Sequence, residues 1–246
     1  TGICCTRLRL LCCFHQFARH FHQRLHFGVD FRFVFASQRS FQRGQSGFDR
    51  VGVDGCGADA WTAQRAMLQE LSVGAPPDQY NPAGQDWGLT AYNPHGLIAS
   101  KFEPFRRMLR ASMRHAGAIR IDHVLGLMRL FVISRGLGAG DGVYLRCPFF
   151  AMLKVVAEES HHWKCIVIGE DLGTVEDSVR EYLGSKGVLG TSILWFEMDG
   201  DVPLDPSRYR ELCMASVNTH DLPPTPGYLE GVQLQLREDL GLLARS

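Results

Sequence analysis

The chain has 246 residues, and its 26 basic side chains balance 26 acidic ones. Zero formal net charge argues against a general nucleic-acid binder or a binder of anionic membranes, since both need a basic surface. No apolar run approaches the roughly 20 residues that span a bilayer, and a hydrophobic fraction of 45% is ordinary for a globular protein.

Residues 1–50 stand apart. They hold nine of the 15 Phe, eight Arg, no Lys and only two acids, Asp30 and Asp49. A zinc module from Cys4, Cys5, Cys12, Cys13, His15, His20 and His22 is disfavoured, because adjacent Cys pairs lack the usual ligand spacing. A targeting peptide would share the Arg-rich, acid-poor composition but carry more Ser and fewer aromatics. The expectation is that this Phe/Arg/Cys-rich segment is not native to the domain, as an out-of-frame stretch at a fragment's edge would be. The eight cysteines include no C-x-x-C pair and form no small disulfide framework. Reduced thiols in a cytoplasmic protein are the plainer reading.

From Val51 onward, helical and extended patterns alternate. Residues 61–71 read as a short amphipathic helix. Gly74-Ala75-Pro76-Pro77-Asp78 breaks it, and a Gly/Pro/Asn-rich loop runs to about His95. Such a long loop is usually functional or disordered, and Tyr80, Trp87 and Tyr92 within it favour the first. Phe102, Phe105, Leu109 and Met113 share one helical face, which Gly117 can terminate.

Strands are expected over 118–122, 165–168, 192–196 and 214–217. Helices are expected over 149–161, after 174–177 (where Thr174 and Asp177 resemble a capping box) and over 232–245. Alternating strands and helices imply a parallel sheet with right-handed crossovers, whose active groups sit beyond the carboxyl ends of strands.

Three of the four expected strands run into acids: Asp122, Glu170 and Asp221. One such carboxylate is often only a cap or loop anchor. Three of them, interleaved with His123 and His220, suit glycoside chemistry. There a carboxylate nucleophile captures an oxocarbenium-like centre, and a second carboxyl protonates the leaving oxygen about 5–5.5 Å away. Neighbouring parallel strands, about 4.8 Å apart, supply that separation. Arg120, two positions before Asp122, faces the same side of the strand. It would hold Asp122 ionised, or the two form a structural pair.

Arg120-Ile121-Asp122-His123, Gly169-Glu170-Asp171-Leu172-Gly173-Thr174-Val175 and Thr219-His220-Asp221-Leu222-Pro223 resemble the catalytic motifs of the 4-α-glucanotransferase (amylomaltase) family. Gly74 to Asp78, with Gly84-Gln85-Asp86-Trp87-Gly88, resembles that family's active-site lid. The resemblance covers about Val51 to Gly231. It implies a (β/α)₈ barrel, incomplete in this chain, with Asp122 as nucleophile, Glu170 as general acid/base and Asp221 as a third carboxylate engaging sugar hydroxyls. It implies substrate-binding roles for Arg120, His220, Asp78, Gln85 and Trp87, the last stacking on a sugar face or anchoring the loop.

Ser134, Cys147 and Pro224 depart from the family pattern where proline, an aromatic and threonine are usual; none removes a catalytic group. The implied activity is transfer of α-1,4-glucan segments between maltooligosaccharides by a retaining double displacement, without metal or organic cofactor. A retaining α-glucan hydrolase and an inactive glucan-binding fragment are the rival readings, and a chain lacking part of the barrel is expected to show little activity alone.

Overall fold

A computed structural model describes residues 52–78 and 81–241. The segment 1–50, Tyr80 and the end of the C-terminal tail lie outside the described residues. The described chain divides into two compact units, 52–190 and 191–241. No described helix is long and apolar enough to cross a membrane.

The first unit is α/β and contains two sheets. In chain order it holds β1 (Gly52–Asp54), α1 (Ala58–Thr62), β2 (Leu71–Ala75), β3 (Gln85–Ala91), α2 (Pro94–Ala99), α3 (Glu103–Met113), β4 (Ala118–Ile121), β5 (Arg129–Ser134), β6 (Val143–Arg146), α4 (Phe149–Trp163), β7 (Ile166–Gly169) and α5 (Asp177–Ser185). β4 and β7 pair in parallel, from Ala118 opposite Ile166 to Ile121 opposite Gly169. An isolated parallel bridge, Ile168 to Leu189, lies on the other side of β7.

Alternation along β4 and β7 separates two faces. Ile119, Ile121 and Val167 join Phe105, Leu109 and Met113 of α3 and Met152, Leu153, Val155 and Val156 of α4 in the main core. Each such side chain contributes roughly 1.5–3 kcal/mol by leaving water. Arg120, Ile168, Asp122 and Glu170 fall on the opposite face.

Between α3 and α4 sits a buried charge. Glu159, 4% exposed, accepts bonds from Arg106 Nη1 (2.7 Å), Arg110 Nε (3.1 Å) and Trp163 Nε1 (3.2 Å). Burial alone would raise the Glu159 carboxyl, but the hydrogen bonds from Arg106 and Arg110 outweigh it and hold it below its ordinary value.

The larger sheet corrects the expectation of a purely parallel strand set. It is antiparallel, in the order β1-β3-β2-β5-β6. Within the Gly/Pro/Asn-rich loop expected over 74–95, Gly74 and Ala75 end β2, Gln85–Ala91 form β3 and Pro94 opens α2, so β2 and β3 build a ribbon there. Its apolar positions, Val73, Trp87, Leu89 and Ala91, follow strand alternation beneath the turn residues and pack on Leu130 and Val132 of β5. At Gly74 a Cβ would lie 2.0 Å from the Gln85 carbonyl oxygen, so the two backbones approach there as only glycine allows.

The helix expected over 61–71 ends at Thr62. The Thr62 hydroxyl donates to the Ala58 carbonyl (2.9 Å), Trp61 is exposed, and a 3₁₀ turn over Gln64–Ala66 follows before β2.

β8 (Gly190–Ile193) starts at the boundary, and the second unit continues with β9 (Met198–Asp199), β10 (Val202–Pro203), β11 (Cys213–Ser216), α6 (Thr225–Glu230) and α7 (Val232–Asp239). β8 pairs with β11, and β9 with β10. Gly231, at φ +79°, separates the last two helices. Trp195 and Tyr228 bring their rings to 4.5 Å.

Candidate active site

The register of β4 and β7 decides the placement of two carboxylates. Ile121 pairs with Gly169, so the next residues, Asp122 and Glu170, emerge side by side from the carboxyl ends of adjacent parallel strands. The ladder continues past the strands: the Glu170 N–H donates to the Ile121 carbonyl (2.8 Å), and the Val124 N–H to the Glu170 carbonyl (2.9 Å). Arg120 Nη2 lies 2.6 Å from Asp122 Oδ1, with both side chains about one-fifth exposed.

Each Glu170 oxygen accepts one backbone N–H: Oε2 from His123 (2.8 Å) and Oε1 from Leu172 (2.7 Å). Each therefore keeps a second lone pair directed elsewhere. The carboxyl is oriented by main chain, which has no rotamers to sample.

His123 is bent to serve that bond. It sits at φ +49°, ψ +58°, a left-handed conformation unusual for a residue with a Cβ. Its ring meets the edge of Trp87 at 5.5 Å. Burial pushes the His123 imidazole below its ordinary pKa; Glu170 pulls it up and Arg129 pushes it further down.

Trp87 is half-buried on the small core of the antiparallel sheet, and its Nε1 donates to Gln85 Oε1 (3.1 Å). The anchoring reading of Trp87 thus describes one of its contacts, and the His123 contact carries the ribbon to the carboxylate end of β4. Asp78 lies at the ribbon's exposed tip, where its Oδ1 accepts the Asn81 N–H (2.6 Å).

Residues 171–176, between Glu170 and α5, have no regular secondary structure but are tied at several points. Arg180, one turn into α5, donates to the carbonyls of Asp171 (3.3 Å), Gly173 (3.3 Å) and Val175 (3.1 Å). It also lies 3.7 Å from buried Asp171 Oδ2 and 3.4 Å from Asp177 Oδ1. Arg129 of β5 pairs with Glu176 at 3.2 Å. The capping box expected from Thr174 and Asp177 does not form; Glu176 is the N-cap, without a side-chain bond.

Asp221 belongs to the second unit, on an exposed turn five residues beyond β11. His220 Nε2 lies 3.2 Å from its Oδ1, and the Thr219 hydroxyl 3.3 Å from its Oδ2. Asn218 stitches the turn, accepting the Thr219 N–H (2.9 Å) and donating to the Pro223 carbonyl (2.7 Å).

A profile of the 4-alpha-glucanotransferase family (glycoside hydrolase family 77) matches residues 50–244. The chain belongs to this family. It is 47% identical over 238 residues to a 4-alpha-glucanotransferase of Mycobacterium tuberculosis, an alignment covering 93% of this chain and 33% of that protein. A 4-alpha-glucanotransferase of Haemophilus influenzae is 41% identical over 187 residues, covering 76% and 27%. The chain thus spans about a third or less of the length of these relatives. Among solved structures, amylomaltase from Corynebacterium glutamicum superposes with a TM-score of 0.73 at 45% identity, over 80% of this chain and 28% of that one. An alignment covering 93% of the chain extends into residues 1–50, whereas the family profile begins at residue 50.

Within this 4-alpha-glucanotransferase segment, Asp78, Gln85, Trp87, Arg120, Asp122 and Glu170 of the motif residues lie in the first unit, and His220 and Asp221 in the second. The sequence reading gave no part to Arg180 or to the backbone donors of His123 and Leu172. An Arg three residues after Asp177 was the available signal for the first. A main-chain N–H leaves no trace in sequence.

Proposed function

We propose that this chain forms part of a 4-alpha-glucanotransferase that moves α-1,4-glucan segments between maltooligosaccharides with retention. The supporting observation is the β4–β7 register, which sets Asp122 and Glu170 on neighbouring strand ends. Strands about 4.8 Å apart suit the 5–5.5 Å carboxyl separation of retaining chemistry. The parallel pair and the bridge to Leu189 are read as staves of a (β/α)₈ barrel, completed by chain beyond this segment. The chain spans 33% of a relative it matches, which leaves room for the other strands.

In the first step an Asp122 oxygen attacks the anomeric carbon while Glu170 gives its proton to the departing 4-oxygen. The glycosidic bond breaks, and an acylal ester to Asp122 forms. In the second step Glu170 takes the proton of an acceptor 4-hydroxyl, whose oxygen displaces Asp122 and restores both carboxyls. Arg120 pairs with Asp122 and aims it. Asp221 and His220 bind sugar hydroxyls and favour the distorted ring. Asp78, Gln85 and Trp87 cover the bound glucan, with Trp87 offering a face for stacking.

The free thiols Cys56, Cys147, Cys165 and Cys213 suit a reducing, cytoplasmic compartment. A full-length protein carrying these residues is the sample for the test. Incubated with maltotriose, it should yield glucose together with longer oligosaccharides; new reducing ends alone would assign hydrolysis instead.

A further inference from the structure

Glu170 is the group through which the proposed reaction moves its proton, and half of its support comes from an irregular segment. The Leu172 N–H that holds Oε1 sits between Asp171 and Gly173. Both neighbours present their carbonyls to the same guanidinium, that of Arg180, and Val175 presents a third. Gly173, at φ +80°, turns the chain so that these carbonyls face one point. Five contacts between 3.1 and 3.7 Å converge there, two of them to carboxylates.

A guanidinium is a rigid planar fork with five donors, so it fixes several acceptors at once; an ammonium is a point charge that cannot. Residues 171–175 lie outside any strand or helix, and α5 supplies the fixed base from which Arg180 reaches back.

We infer that Arg180 is a positioning residue for Glu170. Its fork fixes the 171–175 backbone, that backbone fixes the Leu172 N–H, and the N–H sets the direction in which the Glu170 carboxyl presents its proton. The inference rests on the glucanotransferase reading and adds to it a residue outside the three motifs. A displacement of about 1 Å in a reacting group can cost roughly 10²-fold in rate, so a slack loop is felt at the proton and not at the sugar pocket.

The test uses a full-length protein carrying these residues, with R180M, R180K and E170Q prepared in parallel. Each is assayed on maltotriose, whose leaving oxygen needs a proton, and on α-maltosyl fluoride, whose leaving group needs far less assistance. R180M should lower kcat on maltotriose by roughly 10- to 100-fold. On the fluoride it should lower glycosyl-enzyme formation less than about fivefold, with KM little changed. R180K should resemble R180M, because one ammonium cannot hold three carbonyls. If R180M does not fold, R180K carries the same comparison.

Equal losses on the two substrates, or no loss on maltotriose, would overturn the inference. The reading beneath it fails separately: E170Q would then show no dependence on the leaving group.

Discussion

The strand ends of β4 and β7 and the turn at 218–221 hold carboxylates by opposite means. Asp122 and Glu170 follow a hydrogen-bonded parallel ladder, and Glu170 is gripped at both oxygens by main-chain N–H groups. The Asp122 side chain is 18% exposed and that of Asp221 is 70% exposed. Asp221 touches only neighbouring side chains, His220 and Thr219, in the contacts described. Groups that must keep a fixed separation through bond making are set by backbone, where tolerance is about 0.5 Å. A group that meets hydroxyls on a large flexible substrate is carried by a turn.

If that division is right, removing the nucleophile has the largest effect. In a full-length protein carrying these residues, Asp122→Ala should lower transfer by roughly 10⁴-fold or more. Mass spectrometry after incubation with a 5-fluoro glycosyl fluoride should find no glycosyl adduct. An adduct persisting in the variant would move the nucleophile elsewhere and dissolve the contrast with Asp221.

Asp221→Asn sharpens the comparison from the other side. Transfer should fall about 10²-fold through lost transition-state contacts, while stability stays within about ±0.5 kcal/mol, as for an exposed substitution. Urea titration beside the kinetics checks both. A stability loss of several kcal/mol would mean that the turn depends on its carboxylate, against the freedom argued for it.

Glu159→Gln should invert that pattern. Glu159 is a buried charge between α3 and α4, far in role from the strand ends, with Arg106 and Arg110 as its partners. Removing one member of such a pair leaves the others uncompensated. Because Arg110 is 44% exposed and stays hydrated, the cost is about 1–3 kcal/mol, below that of a fully buried pair. The shift in urea midpoint measures it, and kcat below the transition should change less than about threefold. The Glu159 carboxyl is held below its ordinary value, so its contribution is complete above the unfolded pKa near 4.3 and fades as pH falls through the folded one.

Legibility in the sequence followed the same physical division. β4, β7, α3 and α4 were readable because a two-faced strand or helix must repeat its apolar residues with period 2 or 3.6, and Ile119, Val167, Phe105, Leu109 and Met113 do so. The acids were readable because a charged residue just after a buried strand is conspicuous. The antiparallel sheet was not: β5 is a continuous apolar run, and β2 and β3 contain Gly74, Gly88 and neighbouring prolines that signal loop. Their pairing depends on register across distant residues, such as Val73 with Val132, which no local window contains. The expected parallel arrangement holds for β4 with β7, whereas β2–β3 and β5–β6 are antiparallel, their connections being short enough to fold straight back.

The smallest predicted effect tests the link between the two sheets. The His123 ring is half-buried beside Trp87, and the residue's backbone N–H holds Glu170. Burial keeps its folded pKa below the unfolded value near 6.5. The unfolded chain therefore takes up a proton first on acidification. The neutral ring's contribution to stability is present above about pH 6.5 and is lost as pH falls from there through the folded pKa.

Of the charges facing the ring, Glu170 opposes this loss and Arg129 deepens it. His123→Asn removes the titrating ring but tolerates the left-handed backbone at φ +49°. Wild type and variant should therefore differ in how urea stability falls between pH 7 and pH 5, by at most about 1.4 kcal/mol per pH unit. The exposed histidines are common to both and cancel in that difference. Identical slopes would show that the ring takes up its proton in place at no cost, and would leave the ribbon's contact with the carboxylate end of β4 indifferent to charge.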